Sequence, residues 1–173
     1  MKKLLLPLFL LTLTFNAHAG FLIDPYIGTG SFAGTLDLAN GADADDVEET
    51  VTAMGSRVGY SFLLVSAGID YQILSVDGES QNNISAFVGV DLPILLRFWG
   101  EYFISSDADV EGDVETSLDF KDGYGLGVGF TGLPLVSLNL EVQYLNYEGE
   151  ASNIKFDYDT VAYIASVSLP LDF

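Results

Sequence analysis

The sequence contains no cysteine, a single histidine and few basic residues, and each scarcity argues against a class of function. Without cysteine there is no disulfide framework, no thiolate zinc site and no lipid-modified cysteine. The one histidine, His18, lies in the N-terminal segment, so the remaining chain offers no histidine for catalysis or metal binding. Six Lys and Arg against 25 Asp and Glu give a net charge of −19, which argues against nucleic acid as a partner.

The first 19 residues have the features of a cleaved signal peptide. Lys2 and Lys3 form a basic start, and the apolar run 4–15 is shorter than the ~20 residues that a transmembrane helix needs. A small-x-small pattern ends at Ala19, just before Gly20. We therefore predict cleavage between Ala19 and Gly20, export, and one mature domain over residues 20–173.

The mature chain shows one recurring pattern, the alternation of apolar residues with small or polar ones. Alternation with period two is the signature of a β-strand with two unlike faces. The alternating segments lie near residues 26–36, 57–62, 66–73, 85–91, 96–104, 123–130, 136–145 and 161–173. These segments predict eight strands and no second domain.

The segments between the strands alternate in length. Residues 37–50, 77–83, 106–119 and 147–157 are longer and polar, whereas 63–64, 92–95 and 131–135 are short. Pro93 and Pro134 are turn formers in two of the short segments. Long loops at one end and tight turns at the other predict an all-antiparallel meander of hairpins.

The polar face of these strands predicts a packed lumen. It is rich in glycine and carries charged residues in mid-strand, as expected inside a narrow eight-stranded barrel. The charged residues are Arg57, Asp70, Arg97, Glu101 and Glu141. We predict that the two arginines pair with some of the three acids, because an unpaired buried charge is costly.

The apolar face carries aromatic residues near the strand ends, and it predicts a lipid-facing surface bounded by two aromatic girdles. The girdle toward the long loops would comprise Phe32, Tyr71, Tyr102, Tyr124, Tyr144 and Tyr163. The girdle toward the short turns would comprise Phe62, Phe130 and Phe173.

The chain ends on Val-Ser-Leu-Pro-Leu-Asp-Phe, in which Val167, Leu169, Leu171 and Phe173 alternate. This end resembles the C-terminal assembly signal of bacterial outer-membrane barrels, and segments such as 57–62 and 67–72 are similar to small barrels of the OmpA membrane-domain and OmpX type. The resemblance implies a closed eight-stranded antiparallel up-and-down transmembrane β-barrel.

The same resemblance implies a location and partners. We expect a monomer exported through the periplasm to the outer membrane of a Gram-negative bacterium, surrounded by lipid and lipopolysaccharide, with the barrel assembly machinery as a partner. Pro25 and Pro170 depart from the pattern, because proline cannot donate to a strand ladder. They predict fraying or a bulge where the first and last strands meet.

The sequence predicts neither an enzyme nor a cofactor. Barrel enzymes that resemble lipid A deacylases, phospholipases or omptin proteases rely on a histidine that the mature chain lacks. Glu101 and Glu141 could form a paired-carboxylate site, but the neighbouring arginines favour ion pairing. We therefore predict a non-enzymatic barrel with an envelope-integrity or surface-interaction role. A narrow channel or conduit for small hydrophobic molecules, and a soluble secreted barrel that binds a ligand, are the alternatives.

Two of the long loops are strongly acidic. The acids are Asp43, Asp45, Asp46, Glu48 and Glu49 in the first loop, and Asp107, Asp109, Glu111, Asp113 and Glu115 in the third. Such oxygen ligands can recruit Ca²⁺ or Mg²⁺, but the spacing of an EF-hand is absent and acidic stretches are usually solvated. We predict no specific metal site, only diffuse divalent cations.

Overall fold

The structure is a computed structural model that describes residues 19–38, 47–76, 79–108, 117–151 and 154–173. No helix in these ranges is long and apolar enough to cross a membrane. The strands are β1 (Ala19–Leu38), β2 (Val47–Phe62), β3 (Val65–Val76), β4 (Glu79–Leu92), β5 (Leu96–Ala108), β6 (Ser117–Phe130), β7 (Ser137–Ala151), β8 (Ile154–Ser168) and β9 (Leu171–Asp172).

The strands close into one antiparallel barrel. Consecutive strands pair with each other, and β1 pairs with both β2 and β8. The short β9 continues β8 along β1 in the same register. The predicted closed eight-stranded barrel is therefore confirmed, with β5 and β6 paired to each other only along Leu96–Tyr102 and Tyr124–Phe130.

The strands are longer than the sequence predicted. β1 begins at Ala19 rather than near Tyr26, and the strands run through much of the four polar segments expected to be loops. Between the long strands, only 39–46, 77–78, 109–116 and 152–153 lie outside the described residues. Polar side chains on the extensions, such as Asp107 and Asp157, are exposed, so strand pairing continues where the outer wall turns polar.

The two prolines interrupt the closing ladder without shifting it. Pro25 lies within β1, and Leu169 and Pro170 separate β8 from β9. The Leu169 amide donates to the Pro25 carbonyl at 2.9 Å, and beyond the gap Phe21 and Phe173 exchange two amide–carbonyl bonds of 3.0 Å. The predicted irregularity is thus limited to the two residues of the gap.

The three short turns share an unusual backbone feature. They span 63–64, 93–95 and 131–136, and each contains a leucine with positive φ: Leu63 at 59°, Leu95 at 64° and Leu135 at 69°. This left-handed region costs a residue with a Cβ about 1–2 kcal/mol, a cost that glycine avoids. We call this end of the barrel the turn end and the other the loop end.

Tyrosines mark a level on the outer wall that we call the tyrosine row. Its members are Tyr71, Tyr102, Tyr124, Tyr144 and Tyr163. Tyr102, Tyr124 and Tyr144 are direct cross-strand neighbours on β5, β6 and β7, and the last two rings stack at 5.1 Å. Phe32, predicted in the same girdle, instead packs against an inward apolar cluster, because even-numbered residues of β1 face the lumen.

Candidate functional site

The centre of the lumen is occupied by Arg57, which projects from the middle of β2. Its Nη2 donates to Glu141 Oε2 at 2.7 Å. Its other nitrogens lie 3.5 Å from an Asp70 oxygen and 3.6 Å from an Asp24 oxygen. All four side chains are buried, with at most 4% of each exposed.

Strand register explains this convergence. Arg57 is the direct cross-strand partner of Asp24 on β1 and of Asp70 on β3, so three inward side chains meet on neighbouring strands. Glu141 reaches the guanidinium from β7. Because a buried charge is stabilised only when it is paired and hydrogen-bonded, these contacts make the network a structural centre of the barrel.

Aromatic rings complete the surroundings of Arg57. The guanidinium carbon lies 4.7 Å from the centre of the Tyr26 ring and 4.3 Å from that of Trp99. The Tyr26 hydroxyl donates to Asp70 at 3.1 Å, and the Gln143 amide donates to Glu141. The rings contribute cation–π attraction and also occupy the middle of the lumen.

Arg97 belongs to a different part of the lumen from the one predicted. It contacts none of the three predicted acids but pairs with Asp91 Oδ1 at 2.7 Å and Asp24 Oδ2 at 3.4 Å. Asp91 is its direct partner across the β4–β5 hairpin. Asp24 links the two arginines, and sequence reasoning missed it because the first strand was expected to begin near Tyr26.

Glu101 is the one of the three predicted acids that forms no ion pair with an arginine. Its Oε2 accepts a 2.7 Å hydrogen bond from Ser85, and its Oε1 has no hydrogen-bond partner within the described chain. A Cβ at Gly125 would lie 2.7 Å from the Glu101 Cγ. A Cβ at Gly127 would collide with the Trp99 ring. The glycine run 123–129 therefore makes room for larger side chains.

The loop-end half of the lumen is filled by apolar clusters. Val51, Ala53, Leu74, Ala162 and Ile164 form one cluster, and Phe103, Leu145 and Tyr147 form the other. Sequence reasoning missed the first cluster because Val51, Ala53 and Leu74 lie beyond the ends of the predicted strand segments. Continued alternation, from Gln72 to Leu74, was the available signal.

A small polar cluster lies beside the second apolar cluster. Gln81 donates to the Ser106 hydroxyl at 2.9 Å and to the Tyr147 hydroxyl at 2.8 Å. Ser106 donates in turn to Asn83 at 2.6 Å. These bonds satisfy buried polar groups and, with the apolar clusters, leave the lumen filled by side chains.

The predicted acidic ligands give no metal centre in the described part of the chain. There, no group of three or more His, Cys, Asp or Glu side chains is placed to hold a metal ion. Asp43, Asp45, Asp46, Asp109, Glu111, Asp113 and Glu115 lie outside the described residues. Glu48, Glu49 and Asp107 belong to strands β2 and β5 rather than to loops. Glu101 and Glu141 both face the lumen, where Ser85 and Arg57 bind them.

The outer wall has the opposite character to the lumen. Every long strand exposes large hydrophobic side chains, including Ile27, Val58, Ile69, Val88, Phe98, Leu126, Leu140 and Val167. An apolar groove of about 780 Å³ crosses this wall, lined largely by outward residues such as Ile27, Leu138 and Val167. Between the turns and the tyrosine row, the outward residues of β3 and of β5 to β8 carry no polar side chain apart from the tyrosine hydroxyls, whereas Thr29 on β1 lies beside Thr52 on β2.

The residues of the predicted assembly signal lie on this wall. Val167, Leu169, Leu171 and Phe173 are all exposed on one face of the closing strand. At the predicted cleavage site, Ala19 pairs with Phe62 and Gly20 with Ser61. Residues 1–18 lie outside the described residues, so the signal peptide stays a prediction.

No family model matches the chain, and no curated protein matches it. The crystal structure of Neisserial surface protein A is similar, with a TM-score of 0.52 at 15% identity over 88% of this chain and 98% of that one. This likeness confirms the predicted resemblance to small outer-membrane barrels at the level of fold.

Two weaker likenesses were found. The outer membrane protein OprG from Pseudomonas aeruginosa has a TM-score of 0.39 at 11% identity, over 90% of this chain and 97% of that one. Ail, the attachment invasion locus protein of Yersinia pestis, solved with the heparin analogue sucrose octasulfate, has a TM-score of 0.42 at 9% identity, over 83% and 98%.

Proposed function

We propose that the chain is a non-enzymatic integral protein of the bacterial outer membrane, in which a closed barrel presents an acidic end to the cell exterior. The proposal rests on an arrangement opposite to that of a soluble protein. Apolar side chains such as Leu126 and Leu140 are exposed on the outside, while the charged Arg57 is buried inside. A monomer in water rarely exposes contiguous apolar patches larger than a few hundred Å², whereas lipid removes the cost of such a surface.

The tyrosine row supports an orientation for the barrel. On β6 and β7 the next outward side chains beyond the row are polar, at Asp122 and Asn146, and on β8 Val161 is followed by Asp159. Tyrosine is favoured at the boundary between the apolar band and water, and outer-membrane barrels have short periplasmic turns and longer extracellular loops. We therefore orient the loop end toward the cell exterior and the turn end toward the periplasm.

The packed lumen favours a closed barrel over a channel. Arg57 is held between two aromatic rings, and two apolar clusters fill the lumen toward the loop end. An eight-stranded barrel is just wide enough for its side chains to fill it. The 780 Å³ groove is on the outer wall, where lipid chains would fill it, so it does not favour a conduit through the barrel.

The role that follows is support of the envelope or contact with surface partners through the loop end. We propose a monomer that contacts lipid and lipopolysaccharide and reaches the membrane through the barrel assembly machinery. Exposed acids such as Asp157 and Asp159 would attract a diffuse layer of divalent cations beside the anionic lipopolysaccharide.

Membrane fractionation and gel mobility test this location. The protein should be recovered in outer membranes, and the folded form should migrate differently from the heated form on a denaturing gel. Recovery of the folded protein in the soluble periplasm would overturn the proposal and favour the secreted ligand-binding barrel.

Planar bilayer recordings test the closed lumen. The wild-type protein should show no stepwise conductance, because Trp99 and Arg57 fill the middle of the barrel. Trp99→Ala serves as the comparison variant, since it removes the ring that lies over Gly127. Regular conductance steps from the wild-type protein would favour the channel.

A further inference from the structure

The hairpin turns at the turn end of the barrel are apolar. The three short turns, which span 63–64, 93–95 and 131–136, contain no charged residue. Their exposed large side chains are Leu63, Leu64, Ile94, Leu95, Leu133 and Leu135. Leu135 is the most exposed of these, at 80%. A surface of this composition is unfavourable in water.

The backbone of the turns adds a second observation. Leu63, Leu95 and Leu135 each have positive φ, which glycine would adopt without strain. In water, glycine would relieve the strain and also remove an exposed apolar side chain. Leucine at all three positions is therefore favourable only where an apolar environment surrounds its side chain.

The length of the apolar band gives a third observation. Between the tyrosine row and the turns, the band covers seven residues on β6, from Tyr124 to Phe130, and seven on β7, from Leu138 to Tyr144. A tilted strand needs about 9–11 residues to cross the hydrocarbon core. Two residues of a strand tilted by ~45° correspond to about 5 Å of membrane thickness. The apolar turns can supply that missing length.

We propose that the turn end is immersed in the periplasmic leaflet, where the turn leucines contact lipid chains and complete the apolar span. This inference rests on the proposed membrane location. Lipid is the occupant that fits, because the apolar turns continue the apolar wall and are found on all three hairpins around the rim.

Hydrogen bonds at the turns are compatible with a position inside the membrane. The Asp91 amide donates to the Leu64 carbonyl at 2.7 Å, and the Thr131 amide donates to the Leu95 carbonyl at 2.8 Å. Both bonds join neighbouring hairpins and satisfy backbone groups that water would otherwise satisfy. Within a membrane, backbone groups must find partners inside the protein.

Single-cysteine labelling tests the proposal, because the chain contains no native cysteine. The test variants are Leu64→Cys and Leu135→Cys, the wall control is Leu126→Cys, and the aqueous control is Glu79→Cys. Each full-length protein is placed in phosphatidylcholine nanodiscs, which leave both membrane faces accessible, and is treated with a charged maleimide. Each rate is divided by the rate of the same variant unfolded in urea.

We expect both turn variants to react roughly tenfold or more slowly than Glu79→Cys, since hydrocarbon excludes a charged reagent. Turn variants that react as fast as Glu79→Cys, with Leu126→Cys protected, would overturn the immersion alone. Fast reaction of Leu126→Cys as well would overturn the membrane location itself.

A quenching measurement distinguishes lipid from a second copy of the chain. A neutral bimane reagent is attached to the same turn cysteines, and lipids with a nitroxide on the acyl chain are added to the nanodiscs. Strong quenching at Leu135→Cys, comparable with that at Leu126→Cys, is expected. Protection from maleimide without quenching by the lipid label would overturn the proposal, because a protein surface would then cover the turns.

Discussion

The two ends of the barrel place their charges on opposite sides of the same wall. Between the turns and the tyrosine row, Arg57 and Glu141 point inward and Leu126 points outward. Beyond the row, Leu74 and Phe103 point inward, while acids such as Asp157 point outward. β7 and β8 stay paired through this change, whereas the pairing of β5 with β6 ends at Tyr102 and Tyr124.

This difference teaches that one backbone architecture serves two surroundings. In the half that faces lipid, the polar side chains can be satisfied only in the lumen, so the lumen holds an ion-pair network. In the half beyond the row, water surrounds the wall, and the lumen holds the two apolar clusters together with the small polar cluster around Ser106. The two halves share one fold and differ in their outward side chains, which are apolar where lipid surrounds the barrel and polar where water does.

The largest expected effect concerns the charged half. Arg57→Ala should lower the free energy of unfolding by about 3–5 kcal/mol, because it leaves buried Asp70 and Glu141 without their cation. Urea unfolding in lipid or detergent measures this loss. Lys121→Ala, which removes the exposed ion pair with Glu148, should leave the unfolding midpoint unchanged. Equal midpoints for the two variants would show that the lumen network is solvated.

The apolar half should respond as a soluble core does. Leu74 is fully buried, so Leu74→Ala should destabilise the barrel by about 2–5 kcal/mol through lost packing and the cavity that remains. Leu126→Ala removes the same atoms from the lipid-facing wall, where lipid can fill the space, and should cost less. If the two variants lose equal stability, the distinction between core and lipid-facing wall does not hold.

A charge placed on each side of the row tests the boundary itself. Leu126→Arg should cost about 2–4 kcal/mol in a bilayer, because an arginine at lipid-facing mid-depth is unfavourable. Asp122→Arg lies on the same strand beyond Tyr124 and should have a much smaller effect. Folding free energies in phospholipid vesicles measure both variants. A large loss of folding free energy for Asp122→Arg would show that the membrane boundary lies nearer the loop end than the tyrosine row.

The sequence predicted the architecture well because strand alternation depends on neither the solvent nor the partner. The outward positions of Val167, Leu169 and Leu171 follow from parity alone. Strand ends were predicted poorly, since outward acids beyond the tyrosine row have the same composition as a solvated loop.

The partners within the lumen were only partly predictable. The arginines were expected to pair with some of Asp70, Glu101 and Glu141. Arg57 contacts Asp70 and Glu141, but the partner of Arg97 depends on the register of the β4–β5 hairpin. To predict that register, one must know that residues 93–95 form the turn. Asp24 was missed for a similar reason, because the glycines near residue 30 obscured where the first strand begins.

The smallest effect on stability is expected at the closing strand. Deleting Phe173 removes two backbone bonds to Phe21, worth about 1 kcal/mol each, so refolding of purified protein in detergent should weaken only modestly. If the terminus is also the assembly signal, outer-membrane levels in cells should fall much further. Normal levels of the truncated protein in cells would show that the terminus is not an assembly signal here.

The pairing of β1 with β8 also constrains the order of folding events. It joins Tyr26 to Ser168, so the first strand of the sheet cannot find its final neighbour until the last strand is in place. Until then the sheet has two free edges, which are unfavourable in a bilayer because their amides and carbonyls lack partners. Contacts this distant in sequence form slowly. Barrel insertion should therefore be a single, late and cooperative step.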